Sequence, residues 1–224
     1  RLNQDPFDLS EGPLVRSLLI RREAGVHLLL MCLHHIVTDR WSMDVFVREL
    51  DALYVAYSAG RSSPLEELPI QYTDYAVWEH ERQKGQTYQE SLGYWRAHLA
   101  DLSTLALPVD RPRPAIRDFG SDKVVATLPP SISGKVREFA RAGRATSFMA
   151  YLTGFAVLLR RLTGQVDITV GTPISNRDLT ELEALIGYFT NTLVLRMDLS
   201  GNPGVGELLG RVRDVLLDAY RYRD

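Results

Sequence analysis

His34-His35-Ile36-Val37-Thr38-Asp39-Arg40-Trp41-Ser42 joins two segments of different hydrophobic period. Upstream, Val26 to Leu33 is a continuous apolar run, the pattern of a buried strand. Downstream, Trp41, Val45, Phe46, Leu50, Leu53, Tyr54 and Tyr57 recur at helical spacing, and Gly60 is placed to end the helix. The motif therefore sits on a strand-to-helix turn. Two imidazoles closing an apolar strand are costly unless they are hydrogen-bonded or used. This is where chemistry is expected.

Outward from this turn, Val15 to Arg21 pairs with the apolar run across Arg22-Glu23-Ala24-Gly25, a hairpin signal. Helices are expected over 72–84 and 87–99. Leu107 to Pro114 holds three prolines in seven residues and reads as a stiff connector. The expected division is a remainder of an N-terminal lobe over 1–108, a linker over 109–120 and a partial second lobe over 121–224. Beyond the linker, a strand is expected over Lys123 to Leu128. A helix follows from Pro129-Pro130-Ser131 to about Arg141. Thr146 caps an apolar helix, Ser147 to Leu162, stopped by Gly164. Val166 to Gly171 reads as a buried strand, Leu182 to Ile186 as a short helix, and Asn191 to Met197 as a strand. Val205 to Tyr220 reads as an amphipathic helix. Strands and helices interleave, so the class is α/β or α+β. No internal repeat is visible.

The 224 residues are 45% hydrophobic and 24% charged, with net charge −2. That near-neutral balance argues against a nucleic-acid binder. The Arg-rich stretches Arg111 to Arg117 and Arg211 to Asp224 are mixed with acids or prolines and read as linker and solvated face. Cys32 is the only cysteine, so no disulfide forms and a reducing cytoplasm is expected. It lies in the apolar run and reads as a small buried hydrophobe. No segment reaches transmembrane length and no signal peptide opens the chain. Arg1-Leu2-Asn3-Gln4 is not a translation start and Arg221 to Asp224 is no evident domain end. The chain reads as a piece of something larger.

Alternation on a strand sends His34 and His35 to opposite faces, so one is the working residue and the other packs or orients. Three readings compete. The imidazoles are structural, satisfied by backbone; or they bind metal; or one is an acid–base group, since histidine exchanges protons near neutral pH. Against the metal reading, the adjacent histidines point apart and Asp39 would have to supply the rest. No Gly-x-Ser-x-Gly elbow, glycine-rich phosphate loop or dinucleotide fingerprint is present. An enzyme built on this motif would use histidine to promote direct transfer between two bound substrates.

Several stretches, in order, resemble one family. They are Pro6-Phe7-Asp8-Leu9-Ser10-Glu11-Gly12-Pro13-Leu14, His34-His35-x-x-x-Asp39, Gln71-Tyr72-Thr73-Asp74-Tyr75-Ala76-Val77-Trp78, and Tyr94-Trp95 with Leu105 to Pro112. Gly171-Thr172-Pro173-Ile174-Ser175-Asn176-Arg177 and Ile186-Gly187-Tyr188-Phe189-Thr190-Asn191-Thr192 follow. Together they are similar to the condensation domains of nonribosomal peptide synthetases, within the chloramphenicol-acetyltransferase-like fold of two lobes, an α/β (α+β two-layer) sandwich. The resemblance implies a central fragment, incomplete at both ends.

It further implies amide formation between an acyl or peptidyl thioester donor and the amine of an aminoacyl acceptor. Both arrive on 4'-phosphopantetheine arms of carrier domains beside an adenylation domain, with no cofactor or metal held by the domain itself. His35 would be the working residue, with His34 and Asp39 completing the motif. Asp39 would anchor the turn by pairing with an arginine, for which Arg177 is the candidate. Arg40, Trp41, Ser175, Asn176, Arg177, Tyr188 and Asn191 would line the substrate tunnel, with Phe189 beside them. Arg40 departs from the family, which usually has glycine there; either the turn needs no positive φ or the site is altered. Trp41, Tyr75, Trp78 and Trp95 fall at helical spacings and read as core. The alternatives are an epimerisation domain or a carrier- or CoA-dependent acyltransferase of the same fold, and a non-catalytic platform that recruits a partner.

Overall fold

A computed structural model describes residues 5–112, 114–116 and 120–224. Residues 1–4, and 113 and 117–119 of the expected linker, lie outside the described residues. The chain divides into two compact units: residues 1–85 with 173–191, and 86–172 with 192–224. These units differ from the sequential division expected at 109–120: residues 86–108 group with the second unit, and 173–191 with the histidine motif.

In the first unit, β1 (Val15–Glu23) and β2 (Val26–Leu33) form an antiparallel hairpin, with Leu18 opposite Leu30 and Ile20 opposite Leu28. The turn is Ala24-Gly25, and Gly25 has φ +76°, a conformation glycine takes without strain. The expectation of a buried β2 is corrected: Leu28, Leu29 and Leu30 are exposed, and Cys32 is only half-buried. A continuous apolar strand has two faces to cover, and one partner strand covers neither. A 3-10 turn over His35–Val37 leads into α1 (Arg40–Ser58). The α2 helix (Tyr72–Arg82) packs Tyr75 against Leu182, Leu185 and Phe189. Burial in that cluster pushes the Tyr75 phenol up to about 12. Of the four expected core aromatics Tyr75 is buried and Trp95 half-buried, whereas Trp41 and Trp78 are each 45% exposed. Helical spacing places an indole on one face but does not decide how much of so large a ring that face covers.

In the second unit, α3 (Gln86–His98) precedes α4 (Pro130–Ala142), α5 (Ser147–Thr163) and α6 (Val205–Arg221), with α5 packed on both α4 and α6. Thr146 caps α5 by accepting from the Met149 N–H at 3.2 Å, and Gly164 ends it at φ +73°. On α6, Leu208, Leu209, Val212, Leu216 and Ala219 bury one stripe. The strands β3 (Asp167–Ser175) and β4 (Thr190–Asp198) pair. Along β4, Leu193, Leu195 and Met197 are buried at period two. Arg196, facing the other way, holds the Asp167 carboxylate at 2.8 Å and donates to the His98 and Ala100 carbonyls.

Two expected elements are absent. Lys123 to Leu128 forms no strand, and Val124 and Val125 are 96% and 74% exposed. β-propensity is realised only beside a partner strand, and none pairs there among the described residues. The expected helix from Leu182 to Ile186 is a 3-10 turn, Thr180–Leu182, followed by irregular backbone. The Leu182 and Leu185 carbonyls accept from the Arg177 guanidinium. No described helix is long and apolar enough to cross a membrane.

Leu195 is fully buried, so Leu195→Ala should cost about 2–5 kcal/mol in denaturant unfolding. Leu162→Ala, at a half-exposed position, should cost a small fraction of that. Equal losses would place the core of this unit elsewhere.

Candidate functional site

Asp39 closes the turn. It has extended backbone at the N-cap of α1, where an aspartate accepts from an otherwise unpaired backbone N–H. Its Oδ1 takes the Ser42 N–H at 2.8 Å and its Oδ2 takes the Phe189 N–H at 3.0 Å. The Arg177 Nη2 lies 3.5 Å from Oδ1, and the two side chains are 1% and 2% exposed. The expected pairing of Asp39 with Arg177 is thus present, and it is buried. Ser42 completes the joint: its Oγ donates to the Gly187 carbonyl at 2.6 Å and accepts from the Gly187 N–H at 3.0 Å and from Arg177 Nη2 at 2.7 Å. The Arg177 guanidinium also lies 3.8 Å from the Phe189 ring centroid.

Burial alone would raise the Asp39 carboxyl. The Ser42 and Phe189 N–H groups, the Ser42 hydroxyl and the Arg177 charge outweigh it and hold the carboxyl below its ordinary value. Burial lowers the Arg177 guanidinium, and Asp39 offsets part of that.

The two histidines have different bonds. His34 Nδ1 accepts from the Ile36 N–H at 3.0 Å, capping the 3-10 turn, and its ring meets Phe7 edge-on. His35 Nδ1 lies 2.7 Å from the Thr38 carbonyl. A carbonyl only accepts, so Nδ1 carries the proton and the neutral ring keeps its lone pair on Nε2. The exposed His35 borders a cleft of about 410 Å³, with Met31, Leu33, Met43, Arg40 and the Thr38-Asp39 turn. The Tyr188 ring packs against the His35 imidazole, centroids 5.5 Å apart and planes at 81°.

Of the residues expected to line a tunnel, Arg40 borders this cleft. It is the first residue of α1, and the left-handed non-glycine residues among those described are Asp101, Arg144 and Asn202. Arg40 therefore fits the turn without strain; its guanidinium, 90% exposed, faces Asp44 at 3.5 Å. Trp41 donates its Nε1–H to the Glu183 carbonyl at 2.9 Å. Ser175 is exposed, Asn176 and Asn191 are half-buried, and Arg177 lies beneath the turn rather than on the cleft wall. Among the described residues, no group of three His, Cys, Asp or Glu is placed to hold a metal ion.

Sequence reading missed Ser42, Tyr72 and Gly187. Asp39-x-x-Ser42 is a legible cap signal, but it says nothing of Gly187, 145 positions along the chain. A Cβ on Gly187 would sit 2.1 Å from the Tyr72 ring. That close approach lets the Tyr72 hydroxyl donate to the Tyr188 carbonyl at 2.8 Å.

Asn at position 39 keeps the cap but strands the buried Arg177 charge. Asp39→Asn should therefore cost about 3–5 kcal/mol in chemical unfolding, and Asp39→Asn with Arg177→Met should recover part of it. The folded carboxyl lies below its unfolded value of about 3.9. Its contribution is thus complete above that value and lost as pH falls through the folded one. The acid side of the stability curve should flatten in Asp39→Asn; an unchanged acid limb would refute the anchoring role.

A family model described as "Condensation domain" matches residues 1–224. A linear gramicidin synthase polypeptide from Brevibacillus parabrevis is 45% identical over 220 residues, covering 98% of this chain and 4% of that protein. The X-domain from teicoplanin biosynthesis superposes with TM-score 0.92 at 32% identity over 98% of this chain and 50% of that one; it is also solved in complex with OxyB. The first condensation domain of the CDA synthetase gives TM-score 0.71 at 26% identity, over 96% of this chain and 48% of that one. The chain thus spans a small share of the synthase and about half of each structural relative. With the family model matching all 224 residues given and these structural likenesses, the chain belongs to the condensation-domain family and has its α/β fold.

Proposed function

We propose that this chain carries the histidine centre of a condensation reaction that joins a carrier-bound acyl or peptidyl thioester to the amine of a carrier-bound aminoacyl thioester. The observation that carries this reading is the 2.7 Å contact of His35 Nδ1 with the Thr38 carbonyl at the border of a cleft: a carbonyl only accepts, so a neutral ring keeps its lone pair on Nε2. The acceptor nitrogen attacks the thioester carbon and charge moves to the carbonyl oxygen. The C–S bond then breaks, the amide remains on the acceptor arm, and the donor thiolate takes up the proton lost from nitrogen. The His35 Nε2 accepts the N–H of the attacking amine, orienting its lone pair and carrying the proton on its way to sulfur. Asp39 takes no part in this transfer, because Arg177, Ser42 and Phe189 hold its carboxylate. The arms are 4'-phosphopantetheine and belong to the carriers. The setting is cytoplasmic, beside an adenylation domain.

A second reading has one observation in its favour. The X-domain is solved in complex with OxyB, so a fold of this shape holds a protein partner, and on this second reading the domain is a partner-recruiting platform.

In the complete domain with loaded carriers, mass spectrometry should find the dipeptidyl thioester. His35→Ala should lower its rate about 10²–10⁴-fold, the usual worth of acid–base help. His34→Asn should stay near wild type, because an Asn side chain accepts from the i+2 N–H as His34 does. A near-wild-type rate for His35→Ala would remove His35 from the chemistry. Binding without product would support the platform, and stereoinversion an epimerisation domain.

A further inference from the structure

We propose that Tyr188, fixed in place by Tyr72, is a positioning residue for the His35 imidazole; this rests on the reading of His35 above. One hydrogen bond, Nδ1–H to Thr38 at 2.7 Å, leaves the ring free to tilt about that bond. The Tyr188 ring, nearly perpendicular at 5.5 Å, stands against that tilt, beside the cleft that His35 borders. Edge-to-face contact suits an aromatic pair at this separation.

The contact serves as a stop only if Tyr188 is itself immobile, and its backbone is pinned on both sides. Ser42 holds the Gly187 N–H and carbonyl. Asp39 takes the Phe189 N–H, and the Phe189 carbonyl accepts from the Asn176 N–H at 3.1 Å. The Tyr188 carbonyl accepts from the Tyr72 hydroxyl, a bond that needs glycine at 187. The buried ion pair therefore reaches the exposed imidazole through Tyr188, without any contact between Asp39 and His35 as partners in a proton relay.

The test compares Tyr188→Leu, Tyr188→Phe and Tyr72→Phe in the complete domain, with donor and acceptor carriers loaded. Tyr188 is 39% exposed, so none of these changes empties a core. Tyr188→Leu should lower kcat about tenfold with KM and melting temperature unchanged, inside the roughly hundredfold that a 1 Å misplacement costs. Tyr188→Phe should restore the wild-type rate, and Tyr72→Phe should fall between. Carbethoxylation of His35, followed by peptide mass spectrometry, reads ring freedom without any turnover, and should be faster in Tyr188→Leu. Wild-type kcat and carbethoxylation in Tyr188→Leu overturn the proposal, as does a loss confined to KM or to thermal stability. If His35→Ala leaves the rate untouched, the condensation role of His35 fails, and carbethoxylation still decides whether Tyr188 positions the ring.

Discussion

A carboxylate and a guanidinium buried 3.5 Å apart at the start of α1 set the geometry of everything near the histidines. Removing two charges from water costs several kcal/mol each, and a buried pair recovers that only when its remaining hydrogen-bonding capacity is met. Here it nearly is. Asp39 accepts two backbone N–H groups, and Arg177 reaches Ser42 and the Leu182 and Leu185 carbonyls. Among the described residues, the Arg177 Nε has no hydrogen-bond partner. The pair's contribution is therefore one of register. The path of 177–189 that satisfies Asp39 here also sets Gly187 against Ser42 and Tyr188 against His35.

Bonds within the turn itself separate the two imidazoles. His34 is held as an acceptor inside the turn, which places its neutral proton on Nε2; His35 is held as a donor, which places its proton on Nδ1. Adjacent residues of one type thus present opposite tautomers, one consumed by the backbone and one open to the cleft. The structural reading describes His34, and the acid–base reading proposed above rests on His35 alone.

Local elements are legible in the sequence because their signals are local. Thr146, Gly164, Gly25 and the period-two run of β4 are read from side-chain chemistry within a few residues. The failures share a different cause. Lys123 to Leu128 has strand composition without a partner strand among the described residues, β2 has the pattern of a doubly covered strand with one neighbour, and Leu182 to Ile186 loses its helix to Arg177. At the site, His35, Asp39 and Arg177 carry chemistry in their own side chains, so spacing and resemblance find them. Gly187 and Tyr72 act by close approach and by a bond to a backbone carbonyl, which no residue type announces. Arg40 stands out because glycine there signals positive φ; as the first residue of a helix, the position makes no such demand.

Under the proposed condensation, these bonds also bear on how much chemistry the histidine must supply. A free α-amine, with an unperturbed pKa of about 7.7–8.0, is already partly neutral at working pH. Full deprotonation by a base is thus a small part of the barrier. Holding two tethered reactants in attack geometry is worth on the order of 7–11 kcal/mol, against a general-base term of about 10²–10⁴-fold. A site governed by those magnitudes gains more from fixing where a hydrogen-bond acceptor points than from raising its basicity. That is the arrangement around His35. Among the described residues no carboxylate touches its imidazole to strengthen it as a base; a neutral carbonyl sets its tautomer, and an aromatic edge, anchored through backbone to a buried ion pair, sets its direction.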